Sequence, residues 1–141
     1  MSLLLDPDIG EILDRLSILE LKIDAGMKRS VSTERWEEEK RQLDVYLQKK
    51  ILTWQRTVTS ANMERFGTLN TQLYAINARL WRAEDEIRIF VKRASDLTDT
   101  EKESVVLIAI RIASLNDARS EAIRGINRLF GVDTQEKIYV Q

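Results

Sequence analysis

Two long apolar stripes constrain this chain more than any other feature. Phe66, Leu69, Leu73, Ile76, Leu80, Ala83, Ile87 and Phe90 alternate steps of three and four. Val105, Ile108, Ile112, Leu115, Arg119, Ala122, Ile126 and Leu129 do the same, with Arg119 the single interruption. Steps of three and four return to one side of an α-helix, so each run marks a buried helical face about seven turns long. Gly67 weakens the first run near its start. The second opens on Thr98-Asp-Thr-Glu101, a capping box with Thr98 as N-cap and Glu101 at N3, and stops at Gly131. The predicted helices cover about residues 61–93 and 99–130. The few residues between them make the pair antiparallel neighbours.

The N-terminal part supplies two more helices. One is predicted from Pro7 to Ala25, with Asp6 as N-cap, Pro7 at the first helical position and Gly26 as the stop. Its stripe is Ile9, Ile12, Leu16, Leu19 and Ile23. The next starts at Ser32 or Thr33 and continues toward Arg56, with Glu34, Glu37, Glu38 and Glu39 near the dipole's positive end. Its apolar positions, Trp36, Leu43, Leu47, Trp54 and Val58, are less regular. Residues 57–62 read as a connection. The expected fold is therefore all-α: a helical bundle spanning residues 1–131, built on one long hairpin, followed by an extended tail over 132–141. With five glycines and one proline, the chain lacks the punctuation of a turn-rich β-fold. The hairpin outruns helix one, so apolar surface is left at one end and self-association into a dimer is expected.

Missing residue types shorten the list of functions. There is no cysteine and no histidine, which excludes a thiolate nucleophile, a cysteine or histidine zinc site and a Ser-His-Asp triad. Any catalysis would rest on carboxylates with a hard cation, or on Lys, Tyr, Ser and Arg. The net charge of −1 provides no global field toward nucleic acid or an anionic membrane. No apolar run approaches the ~18 residues of a membrane span, and the N-terminus has no basic region of a signal peptide. A cytoplasmic protein that binds neither membrane nor nucleic acid is the expectation.

Four polar constellations are candidates for chemistry. Glu11, Asp14, Arg15, Ser17 and Glu20 decorate helix one, where Glu11 and Arg15 have the spacing of a surface ion pair. Asn77, Trp81, Glu84, Asp85 and Arg88 fall on one face of helix three. Glu84 and Arg88 pair with each other on one reading. On the other, Glu84 and Asp85 hold Mg²⁺ or act as base, and Arg88 grips an anion. Asn116, Asp117 and Arg119 form the third constellation. Arg119 sits on a seam, so its guanidinium is either buried against a carboxylate or snorkels out along its stem; hairpin register places it beside Ile76 and Asn77, with Asp14 or Glu20 as the better candidate acid. Glu136-Lys-Ile-Tyr139 in the tail is the fourth. Helix three is locally basic at Arg79, Arg82, Arg88, Lys92 and Arg93, but interleaved acids make it an ordinary mixed-charge helix. A pyrophosphohydrolase pattern fails: Glu34-Arg-Trp-Glu37 fits its first acidic motif, but Arg82 stands where the second needs an acid before Asp85.

These motifs resemble an uncharacterised family of short bacterial and phage proteins. The matching residues are Asp14-Arg-Leu-Ser-Ile-Leu-Glu20, Asn77-Ala-Arg-Leu-Trp-Arg-Ala-Glu-Asp-Glu-Ile-Arg88, Asn116-Asp-Ala-Arg119, Ile126-Asn127 and Glu136-Lys-Ile-Tyr139. Arg15 and Ser17 replace a more usual Lys and Thr, and residues 109–115 lack a tyrosine common there. The family has no established activity. The resemblance implies that Asp14, Trp81, Glu84, Asp85, Arg88, Asn116, Asp117, Arg119 and Tyr139 form one recurring polar set. Two functions are then expected to compete. The first is a non-enzymatic helical scaffold or protein-interaction module, homodimeric and without a cofactor. The alternative is a small enzyme or binder of a phosphorylated or sugar-nucleotide ligand, using the acidic–Arg centre and Mg²⁺.

Overall fold

The computed structural model describes residues 7–132, and the expected tail, with Tyr139, lies outside the described residues, as does Asp6. Four α-helices follow in order: α1 (Ile9–Lys28), α2 (Glu34–Gln55), α3 (Ser60–Val91) and α4 (Asp99–Leu129), with a 3₁₀ turn at Ala94–Asp96 before α4. The fold is an all-α helical bundle, and among the described residues there is no strand.

The long hairpin forms as its stripes require. Leu69, Leu73, Leu80 and Ala83 of α3 are buried, as are Ile108, Ala122 and Ile126 of α4. The capping box is complete: the Glu101 amide donates to Thr98 Oγ1 and the Thr98 amide to Glu101 Oε1, both at 3.1 Å. Arg93 closes the turn on Glu101 at 2.8 Å. At the far end Gly131 has φ +72°. Its amide donates to the Arg128 carbonyl and that of Val132 to the Asn127 carbonyl, which is a Schellman stop.

α1 packs against each of the other three helices. Ile9, Ile12, Leu13, Leu16 and Leu19 are almost completely buried, and they meet Leu43 of α2 in the same core. α2 contributes only Leu43 as a fully buried residue. Its C-terminal end is tied down by Trp54, whose ring stacks on Phe130 (centroids 4.2 Å apart) and tilts against Phe66 at 5.4 Å. The Trp54 indole N–H donates to the Leu129 carbonyl at 3.0 Å.

The ends of α1 differ from expectation for a physical reason. The helix starts two residues later than predicted, with Asp8 as an N-cap that makes no side-chain cap. The capping acceptor comes instead from α4: the Gly10 amide donates to Asn127 Oδ1 at 2.7 Å, satisfying one of the orphan donors of the first turn. Gly26 does not stop the helix. It is buried inside it, because a Cβ there would meet Thr33 Cγ2 at 2.7 Å and Trp36 at 2.9 Å. The stop is Ser30, in the left-handed region at φ 57°. The Val31 amide donates to the Gly26 carbonyl and the Ser30 amide to that of Met27, again a Schellman motif. The glycine expected at the turn is required instead by close packing against Thr33 and Trp36.

Two substitutions separate these roles. Gly10→Ala should destabilise the protein by about 1–3 kcal/mol, although alanine favours helix, because its Cβ would stand 2.6 Å from the Ile123 carbonyl oxygen. Ser30→Gly should stabilise it by about 1 kcal/mol by relieving the left-handed backbone. Urea unfolding of both variants measures the pair.

Candidate functional site

The buried polar groups gather where α1 crosses the hairpin. Asp14 lies on the inner side of α1, one turn after Ile9–Gly10, and is 9% exposed. Arg119 reaches it from the seam of α4. Its Nε donates to Asp14 Oδ1 at 2.8 Å and its Nη2 to Oδ2 at 2.5 Å, so the guanidinium and carboxylate meet as two planar forks. From α3, Asn77 Nδ2 donates to Asp14 Oδ1 at 2.9 Å and to Ser17 Oγ at 2.5 Å. Ser17 in turn donates to the Asp14 main-chain carbonyl at 2.8 Å. Three helices thus converge on one carboxylate. Among the described residues its oxygens are taken up by protein donors.

Burial and charge agree here. The Asp14 hydrogen bonds raise the Arg119 pKa; burial opposes them, and the charges of Asp14 and then Glu84 add to the rise. The pair is held by geometry in a partly dry site, with the Arg119 side chain 32% and the Asp14 side chain 13% exposed. A second long-range bond, Gly10 to Asn127, lies further along the same α1–α4 contact.

The sequence-derived set divides. Asp14 and Arg119 come together as expected, and Asp14 rather than Glu20 is the partner. Glu84 is exposed and acts on Arg119 only through its charge. Trp81 is half-buried. Asp85 and Arg88 are exposed and pair with one another at 3.0 Å, so the expected Glu84–Arg88 pair is replaced by an i,i+3 contact. Asn116 and Asp117 are exposed on α4 and are not among the groups that bond the Asp14 carboxylate. Arg15 turns from Glu11 to Glu39 of α2, with Nε to Oε2 at 2.5 Å, and this lowers the Glu39 pKa. Among the described residues, no group of three or more acidic side chains converges in a way that could hold a metal ion.

Three contributors lie outside the nine-residue polar set, although Ser17 and Asn77 belong to the constellations of helices one and three and Asn127 to the resemblance motifs: they are Asn77, Ser17 and Asn127. Asn127 follows stripe residue Ile126, and Gly10 sits near the start of a helix that needs no turn there. A glycine in the first turn of a helix and a polar residue beside a seam are the available signals of close backbone approach, but neither names the other.

The back of the hairpin, away from α1, carries a different feature. A groove of about 640 Å³ runs between α3 and α4, edged by Arg65, Arg79, Arg124 and Arg128 with Glu121 among them. None of these four arginines forms an ion pair among the described residues, whereas Arg15, Arg41, Arg88, Arg93, Arg111 and Arg119 all do.

No family model, curated protein or solved structure matches the chain in comparisons with known proteins.

The buried network has a defined cost of disruption. Arg119→Ala strands the Asp14 charge and should cost about 2–4 kcal/mol, below the full cost of a deeply buried pair because the guanidinium is one-third exposed. Asp14→Leu combined with Arg119→Met should recover most of that loss. Chemical denaturation of both variants, in which the double substitution proved no better than the single, would refute a charge-pairing role.

Proposed function

We propose that this chain works as a self-associating helical scaffold, a protein-interaction module rather than a catalyst. The observation that carries this reading is the outer surface of α4 near the hairpin tip. There Val106, Leu107 and Ile110 are each more than half exposed, within a segment, Val105-Val-Leu-Ile-Ala-Ile-Arg-Ile-Ala113, that is apolar on nearly every side. A helix apolar all round is normally covered all round. α1, at 20 residues, is about 30 Å long and α4, at 31, about 46 Å, so one further layer is missing at the tip.

The polar centre supports the same reading. Asp14, Arg119, Asn77 and Ser17 bond to one another, which is the arrangement of a device that sets helix register. A cytoplasmic location belongs to this proposal, and no helix of the described residues is long and apolar enough to cross a membrane. Membership of the short bacterial and phage family is proposed on the motif resemblance alone.

The reading is tested by light scattering on the full chain. A particle of twice 16.4 kDa, populated as the protein is raised toward ~100 µM, is the expected result for an interface of modest area. A 16.4 kDa particle throughout would overturn it.

One observation favours the second reading, a phosphorylated ligand: the back groove is edged by four arginines that form no ion pair among the described residues. Guanidinium groups bind phosphate oxygens in pairs, so the anion handle of that reading moves from Arg88 and Arg119 to this groove. A thermal-shift series with pyrophosphate, nucleoside diphosphates and sugar phosphates tests it. A rise in melting temperature that Arg124→Ala abolishes is the result it requires, and no rise with any of them counts against it.

A further inference from the structure

We infer that two copies of this chain associate through the outer faces of their α4 helices, antiparallel, about a two-fold axis between Ala109 and Ile110. The inference rests on the self-association proposed above and adds the surface, the direction and the register.

Lys102, Val106, Ala109, Ile110, Ala113 and Asp117 share one face of α4 at steps of three and four. All six are exposed, whereas Ile108, on the opposite side, is buried against the hairpin. The face is an apolar seam four positions long, closed by a cation at its N-terminal end and an anion at its C-terminal end. Such a seam is complementary to itself in one orientation only.

Antiparallel pairing about the stated axis sets Val106 against Ala113 of the second copy and Ile110 against Ala109. A large residue then faces a small one at each level, which lets two helices approach to the ordinary 8–10 Å. The same register sets Lys102 against Asp117, and the two-fold repeats that ion pair at the other end. Parallel pairing would instead place Lys102 on Lys102 and Asp117 on Asp117, like charges at both ends. Sliding the antiparallel pair by a turn one way brings Asp117 against Val106, and the other way against Asp99. Charge and side-chain size therefore select one register from the four.

The sequence contains no cysteine, so introduced thiols report without background. Lys102→Cys and Asp117→Cys are both surface changes that leave the core intact. Mixed and mildly oxidised, the two variants should form a disulfide-linked heterodimer, several-fold more abundant than the crosslink either forms alone. In the inferred register, residues 102 of the two copies lie about 22 Å apart along the helices, and so do residues 117, too far for a disulfide. Crosslinking of Asp117→Cys with itself would overturn the direction. A mixture that crosslinks no better than its components, while light scattering still shows a dimer, would overturn the register and leave the dimer standing. A chain that is monomeric by light scattering removes both. Charge reversal gives an independent readout: Lys102→Glu should shift the equilibrium toward monomer, and Lys102→Glu with Asp117→Lys should restore the dimer. No restoration by the double variant would count against the pair.

Discussion

The carboxylate of Asp14 is the point on which this bundle turns. α1 is the helix that packs on each of the other three, so whatever fixes α1 fixes α2 with it. Apolar burial supplies most of the attraction, but aliphatic contacts are tolerant of rotation and sliding. Asp14 is not. It accepts from Arg119 on α4 and from Asn77 on α3, so a one-turn slip of α1 would leave a carboxylate and a guanidinium unpaired in a partly dry site, at a cost of several kcal/mol. The pair contributes little net attraction and a large penalty for misplacement.

The second polar bond acts at the beginning of the same helix. Asn127 caps α1 from the opposite end of the chain, 117 positions after its donor Gly10, and Gly10 is what allows α1 to come that close. Together the two contacts hold α1 at two points against α4. Trp54 does the equivalent for α2, stacking on Phe130 and binding the Leu129 carbonyl. The lower part of the bundle is thereby covered by α1 and α2 on one side of the hairpin, while the α4 segment toward the hairpin tip keeps Val106, Leu107 and Ile110 exposed.

How far the sequence discloses this differs by element. The hairpin is legible because its evidence is local and repeated: two eight-position stripes, a capping box and a terminal glycine. The partner of Arg119 is legible too, because an arginine on an apolar seam requires an acid and helix register leaves few within reach. The N-terminus of α1 is not, since its cap comes from Asn127 at the far end of the chain. Gly26 misleads for a related reason: glycine serves both left-handed turns and close approaches, and a single sequence does not distinguish them until the neighbours Thr33 and Trp36 are in place. The polar face from Asn77 to Arg88 divides similarly. Asn77 is buried and Asp85 and Arg88 are exposed, because α1 covers one part of that face and not the rest.

That division explains why mixed charge along α3 is a poor guide to what its surfaces do. Read as a string, Arg79, Arg82, Glu84, Asp85, Glu86 and Arg88 sum to zero charge. Folded, Glu84 adds its charge to the field around Arg119 and Asp85 pairs with Arg88, while Arg79 lines the back groove with three other arginines. Cancellation along a helix is an average over faces that meet different surroundings, and screening keeps exposed charges farther apart than about 8–10 Å from offsetting one another. The same holds for α4, where one face is core, one meets α1 and one meets solvent. Its outer face, neutral and apolar between Lys102 and Asp117, has the composition of an interior with no interior to occupy. In the proposed dimer a second copy of the same face would supply that layer, because the charges that close each end are opposite in sign.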